Sequence, residues 1–237
     1  MSKGTILITG ASAGLGAEMA RQFAALGYDL GLCARRTERL GALREEIVAA
    51  APDRRVERRA LDVTADEAVV RVVMDLAATF GTVDRVIVNA GLGKGAALGR
   101  GRYDANRQTA MTNFLGALAR SEAAMEIFRD QGHGHLVMIS SMSALRGMRK
   151  AMTVYAATKA GVAAIAEGLR SERVPGLDVS VIYPGYIRSE MNEHVEQRTR
   201  FMVDTETGVR SMVAAIERRK VKAYVPAWPW VPSGFAV

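Results

Sequence analysis

Short apolar bursts alternate along this chain with stretches in which apolar positions recur every three or four residues. The bursts predict strands over 5–9, 29–34, 56–61, 85–89, 135–140, 178–183 and 223–225. The amphipathic stretches predict helices over 17–26, 38–50, 65–80, 108–129, 153–174 and 207–219. Gly27 and Gly81 stand where helix C-terminal glycines belong, and Pro52 stops a third helix. Strand, helix, strand repeated in this way calls for right-handed crossovers and a parallel sheet covered by helices on both faces. No linker or internal repeat breaks the alternation, so residues 1–237 read as one doubly wound α/β domain, with 227–237 an aromatic, proline-rich tail. Three irregular segments, 92–106, 142–152 and 189–206, follow the fourth, fifth and sixth strands. All three fall on the carboxyl edge of the sheet, where open α/β sheets bind ligands.

Composition narrows the class further. Of the 237 residues 49% are hydrophobic and 24% charged, which excludes a disordered tail protein, a collagen-like rod and a disulfide scaffold. The formal charge of +7 suits an anionic ligand or a solvated surface, since the basic residues are scattered and runs such as Arg54-Arg55 and Arg218-Arg219-Lys220 are short; no nucleic-acid partner is expected. Cys33 has no partner for a disulfide, which suits a reducing, cytoplasmic setting. The apolar run after Lys3 is too short for a signal-peptide core, and no stretch reaches the length of an integral membrane segment. His133, His135 and His194 lack ligand spacing, so no metal is expected.

The first strand runs into Thr9-Gly10-Ala11-Ser12-Ala13-Gly14-Leu15-Gly16 and then a helix. Glycines there allow a tight turn, close approach of backbone to a pyrophosphate and close helix–strand packing, and the helix N-terminus supplies free N–H groups. This is the dinucleotide turn of a Rossmann-like domain, and Gly10, Ser12, Ala13, Gly14, Leu15 and Gly16 are its candidate cofactor contacts. The second strand ends in Arg35-Arg36, where a free ribose would favour an acid and a 2′-phosphate favours arginine, so NADP(H) is preferred and NAD(H) remains open. Asp62, beside Val63, either accepts from an adenine amino group or caps the helix that follows.

Tyr155 and Lys159 are spaced i, i+4 and share one helix face. A nearby ammonium would bring the phenol, whose ordinary pKa is about 10, toward working range. Ser141, at the end of the fifth strand, adds a hydroxyl suited to carbonyl reduction, with Ser143 a rival for the same role. With Thr9-Gly10-x-x-x-Gly14-x-Gly16, Asp62-Val63, Asn89-Ala90-Gly91, Asn113, Ser141, Tyr155-x-x-x-Lys159 and Pro184-Gly185 in this order, the chain resembles the short-chain dehydrogenase/reductase family over nearly its whole length. The resemblance implies that Tyr155 is the general acid/base and that Ser141 polarises a substrate carbonyl. It implies that Lys159 holds the nicotinamide ribose and lowers the tyrosine, with Asn113 anchoring a water behind it. Asn89, Ala90 and Gly91 would border the adenosine half, Ile187 and Ser189 would meet the carboxamide, and Pro184 and Gly185 would be cofactor contacts beside them. The serine-to-tyrosine spacing is one residue longer than the family's, and Ser189 replaces its usual threonine.

The expected substrate is a small carbonyl or alcohol, walled by 92–97, 142–152 and 186–201. Met142, Met148, Met152, Met191, Phe201 and Met202 make those walls apolar, while Arg146, Arg149, Lys150 and Arg188 would suit an oxo acid or simply face solvent. Relatives pair the two long helices across subunits, which implies a homodimer or homotetramer. A second class of function, a silent NADP(H)-binding sensor or scaffold, predicts a damaged catalytic set, whereas Asn113, Ser141, Tyr155 and Lys159 are all present.

Overall fold

In the computed structural model, which describes residues 1–191 and 202–228, every predicted strand forms and all pair in parallel. In chain order they are β1 (Thr5–Thr9), β2 (Asp29–Ala34), β3 (Val56–Ala60), β4 (Arg85–Val88), β5 (Gly134–Ile139), β6 (Leu177–Pro184) and β7 (Lys222–Val225). Across the sheet the order is β3-β2-β1-β4-β5-β6-β7. The direction of winding reverses between β1 and β4, so a crevice opens at their carboxyl ends.

Alternation along each strand builds two cores. Ile6, Ile8, Leu30, Leu32, Ile87 and Ile182 face helices α1 (Gly14–Ala25), α2 (Thr37–Ala50) and α7 (Thr205–Glu217). Leu7, Cys33, Val86, Val88, Leu136 and Val181 face α3 (Asp66–Phe80), α5 (Gly116–Gln131) and α6 (Met152–Ser171) on the other side. A side-chain period of two therefore serves both faces at once, which is why the strands read as unbroken apolar runs. Fully buried anchors such as Phe23, Leu30 and Leu76 each contribute about 1.5–3 kcal/mol through burial.

Two of the boundaries that differ from the sequence reading bear on the crevice. A helix α4 already runs over Tyr103–Ala110, and a π-helical turn, Met111–Leu115, joins it to α5. Apolar periodicity misses α4 because its buried face is partly polar: Asn106 Oδ1 accepts from Ala96 N at 3.0 Å, and Thr109 donates to the Lys94 and Ala105 carbonyls. The segment over 100–106 is accordingly exposed only as far as Asp104, with Ala105 and Asn106 buried. Helix α1 begins at Gly14 rather than at residue 17, so two of the turn's glycines lie in its first turn. First-turn N–H groups have no intrahelical acceptor, which leaves them free for a ligand.

His194, Phe201 and the tail from Pro229 onward lie outside the described residues. Among those described, no helix is long and apolar enough to cross a membrane.

Candidate active site

The crevice floor is built from the ends of β1 and β4. Gly10 has φ +70°, and a Cβ there would stand 2.7 Å from Ala90 Cα. A Cβ on Gly16 would collide with the Gly10 carbonyl and stand 2.7 Å from Asn89 Nδ2. Asn89 ties the two turns together, donating through Nδ2 to Thr9 O at 3.0 Å and through its backbone N–H to Thr9 Oγ1 at 3.2 Å. Helix α1 has no side-chain cap and no acid in its first turn, so its N–H groups present an uncompensated positive end. Ser12, Ala13 and Leu15 belong to this turn and its helical start. Glycine at 10 and 16 lets the turn lie directly against Ala90 and Asn89, which any side chain there would prevent, and the uncapped helix end that results suits a pyrophosphate.

Around the end of β2 the charged groups are already engaged. Arg35 faces Asp62 at 4.0 Å. Arg36 donates to Ser12 Oγ at 3.2 Å and to Glu190 Oε2 at 2.9 Å. Asp62 does not cap α3: its carboxylate accepts from Thr64 N at 3.0 Å and Thr64 Oγ1 at 2.8 Å, and these bonds hold it below the usual carboxylate range. Val63 is buried against the core.

The reacting end gathers four residues from three elements. Ser141 lies two residues past the end of β5, and its Oγ accepts from Ser143 N at 3.2 Å and from Ser143 Oγ at 2.9 Å. The Ser141 hydroxyl is near enough to the Tyr155 phenol on α6 to favour its ionised form, and Ser143 is hydrogen-bonded to Ser141 in turn. Lys159, buried one turn further along α6, donates from Nζ to the Ile139 carbonyl at 2.8 Å, 5.9 Å from the Tyr155 ring centre. Asn113 sits in the π-helical turn, where its side chain exchanges hydrogen bonds with Leu92 N and O at 2.8 and 2.9 Å. A Cβ on Gly91 would lie 3.2 Å from Asn113 Oδ1 and 3.4 Å from Lys159 Nζ, so Gly91, Asn113 and Lys159 line one small space.

Burial pushes the Tyr155 phenol up, partly offset by the Ser141 hydrogen bond. Burial, aided by the positive charge of Arg120, pulls the Lys159 ammonium down to about 7.

Sequence reasoning missed Arg120. This guanidinium is fully buried and donates to Thr9 Oγ1 at 2.9 Å, Ala90 O at 3.1 Å and Gly116 O at 2.6 Å. It joins the ends of β1 and β4 to the helix that follows Asn113. Desolvation brings it down to about 9. The signal was present in the helical phase: Arg120 lies three residues after Ala117 and four before Ala124, both buried.

Pro184 ends β6, and Gly185 donates to Val225 O at 2.9 Å. Ile187 is buried beside Gly208, while Ser189 reaches back across the crevice to Gly14, whose Cβ would lie 3.4 Å from Ser189 Cβ. Met191 closes on Gly93 from the opposite bank, within 3.2 Å of where a Cβ would stand. Arg146, Arg149, Lys150 and Arg188 are exposed.

The family described as short chain dehydrogenase matches residues 4–200. An uncharacterized oxidoreductase of Mycobacterium tuberculosis is 50% identical over 228 residues, 96% of this chain and 90% of that protein. A short-chain dehydrogenase from Sphingobium yanoikuyae, solved in complex with NADPH, superposes with a TM-score of 0.87 at 26% identity, covering 98% of this chain and 91% of that one. A short-chain dehydrogenase/reductase from Burkholderia phymatum, solved with NAD, shares the fold with a TM-score of 0.86 at 20% identity, covering 99% and 91%.

Proposed function

The chain belongs to the short-chain dehydrogenase/reductase family of oxidoreductases, and on that premise we propose that it interconverts a secondary alcohol and a ketone, or a hydroxy and an oxo acid, preferring NADP(H) to NAD(H). The observation that carries the proposal is the meeting of Ser141, Tyr155 and Lys159 beside Gly91, on the same sheet edge as the glycine cradle. A bound nicotinamide supplies the hydride in reduction and accepts it in oxidation. Tyr155 donates the phenolic proton to the carbonyl oxygen, or removes it from the alcohol. Ser143 donates to Ser141 Oγ, which leaves the one Ser141 hydrogen free for the oxyanion that develops on the substrate beside Tyr155. Lys159 and Asn113, which meet beside Gly91, would hold the nicotinamide ribose, and Asn89, Ala90 and Gly91 with Asp62 and Val63 would border the adenosine.

Ser12 and Arg36, already hydrogen-bonded to each other, support recognition of a 2′-phosphate. Tyr186, Met191 and Met152 expose apolar surface near the crevice, which supports an apolar substrate first and an oxo acid second. Leu115 and Leu118 are exposed at the start of the α5 segment and support a homo-oligomer. A buried, unpaired Cys33 thiol suits the cytoplasm.

The test pairs wild type with Tyr155→Phe. Binding of NADPH and NADH is titrated by fluorescence, and oxidation is followed at ~340 nm, the absorption band of the reduced nicotinamide, against ketones and oxo acids. Tighter NADPH binding, with turnover lost in Tyr155→Phe while binding survives, is the expected result. NADPH binding without Tyr155-dependent turnover would favour the silent sensor instead.

A further inference from the structure

Arg36 and Arg39 meet a carboxylate from the far bank of the crevice. The arginines lie in the turn after β2 and the first turn of α2, whereas Glu190 follows Ser189 in the segment after β6. Arg36 Nη1 donates to Glu190 Oε2 at 2.9 Å, and Arg39 Nη1 donates to the other oxygen, Oε1. Arg36 Nε at the same time donates to Ser12 Oγ at 3.2 Å, in the glycine-rich turn. Two guanidinium groups thus gather round one anionic group, and Arg36 links them to the Ser12 hydroxyl. The planar arginine fork matches a carboxylate and a phosphate alike. Arg35, which the sequence offered as a phosphate ligand, faces Asp62 instead. The hydrogen bonds from Arg39 and Arg36 hold the Glu190 carboxyl below the ordinary range, so it is an anion at neutral pH.

We propose that Glu190 is a specificity-determining residue for the cofactor: its carboxylate occupies, at Arg36 and Arg39, the position that the 2′-phosphate of an NADP-type cofactor would take. The inference rests on the NADP(H) reading above. With an unphosphorylated dinucleotide bound, Glu190 keeps both cations paired, so such a cofactor incurs little penalty. A 2′-phosphate has to displace Glu190, and the ion pairs it gains are partly offset by the pairs it breaks. Glu190 therefore narrows the discrimination between the two cofactor types. Both pairs are half exposed, with side-chain exposures of 44% and 51% for the arginines against 43% for the glutamate, so the exchange needs no change in the fold. An exposed ion pair is worth a factor of about 1.5–5 in an equilibrium constant.

The experiment uses wild type, Glu190→Gln and Glu190→Ala, with Arg36→Met/Arg39→Met as a second background. The probes are 2′,5′-ADP and ADP, which differ in the 2′-phosphate and lack the nicotinamide, followed by NADPH and NADH. Removing the carboxylate is expected to tighten 2′,5′-ADP and NADPH by about three- to tenfold relative to ADP and NADH. That gain should disappear in the double-arginine background. An unchanged ratio in both Glu190 variants, in a protein that does prefer 2′,5′-ADP to ADP, overturns the role of Glu190 and leaves the NADP(H) reading standing. No preference for the 2′-phosphate in wild type or variants overturns both.

Discussion

Acid should destabilise this protein through one histidine at the edge of the sheet opposite the crevice. His135, near the amino end of β5, is 1% exposed. Its Nδ1 accepts from Arg85 Nε at 3.0 Å, so the ring proton is on Nε2 and donates to Ser180 Oγ at 2.8 Å. Arg85 is held in turn by Glu217 at 2.7 Å, and its guanidinium stacks 5.4 Å from the Phe23 and Tyr28 ring centres. Protonating Nδ1 would break the Arg85 bond and bury a second cation beside the first. Burial, reinforced by Arg85 and Arg219, accordingly pushes His135 down to about 3. The unfolded chain titrates near the ordinary value of about 6.5 and binds the proton more readily than the fold does. Stability is therefore complete above about pH 6.5 and is lost progressively as the pH falls toward 3. At about pH 5 the deficit is roughly 1.5 pH units at ~1.4 kcal/mol each, or about 2 kcal/mol. Urea unfolding of wild type and His135→Gln at about pH 7.5 and pH 5 isolates it, since every other titration appears in both proteins and cancels in the difference. Wild type should lose about 2 kcal/mol more than the variant between the two pH values. Parallel losses, agreeing within about 0.5 kcal/mol, would refute the neutral buried histidine.

Four further outcomes follow from the same geometry. Gly16→Ala should fold yet lose dinucleotide binding by fluorescence titration, because the new methyl meets Gly10 O and Asn89 Nδ2. Ser141→Ala should lower kcat by about 100- to 1000-fold, the cost of one oxyanion donor, whereas Ser143→Ala, one hydrogen bond removed, should cost about tenfold or less. Arg120→Met should raise the proton affinity of Lys159 above its value of about 7 and move the corresponding limb of the pH–rate profile to higher pH; an unmoved limb would exclude electrostatic influence from that buried charge. Cys33, whose thiol burial raises to about 12, should resist alkylation in the native protein and react only on unfolding, which mass spectrometry reads directly.

The strands and the chemistry near them were legible because they rest on local rules. Apolar runs bounded by glycine and proline determine where this chain extends and where it coils. A parallel sheet, buried on both faces, needs no further information to predict its layers. The glycine spacing after Thr9 and the i, i+4 pair Tyr155 and Lys159 are likewise properties of a few consecutive residues. Helix α4 escaped the same reading because Asn106 and Thr109 are buried with hydrogen bonds to the loop backbone at Ala96 and Lys94.

What the sequence determined by itself is thus the doubly wound sheet, the crevice on its carboxyl edge and the candidates that line it. Only the tertiary structure decided which of those candidates meet. It set Ser143 behind Ser141 rather than in its place, drew Arg39 and Glu190 together from segments 151 residues apart, and buried Arg120 beneath the crevice floor. It also removed water from both Tyr155 and Lys159, so that burial shifts the phenol up and the ammonium down. The physical reason is that periodicity reports which face of an element is apolar, whereas a charge or hydroxyl is governed by its distance to groups remote in sequence and by how much water folding removes.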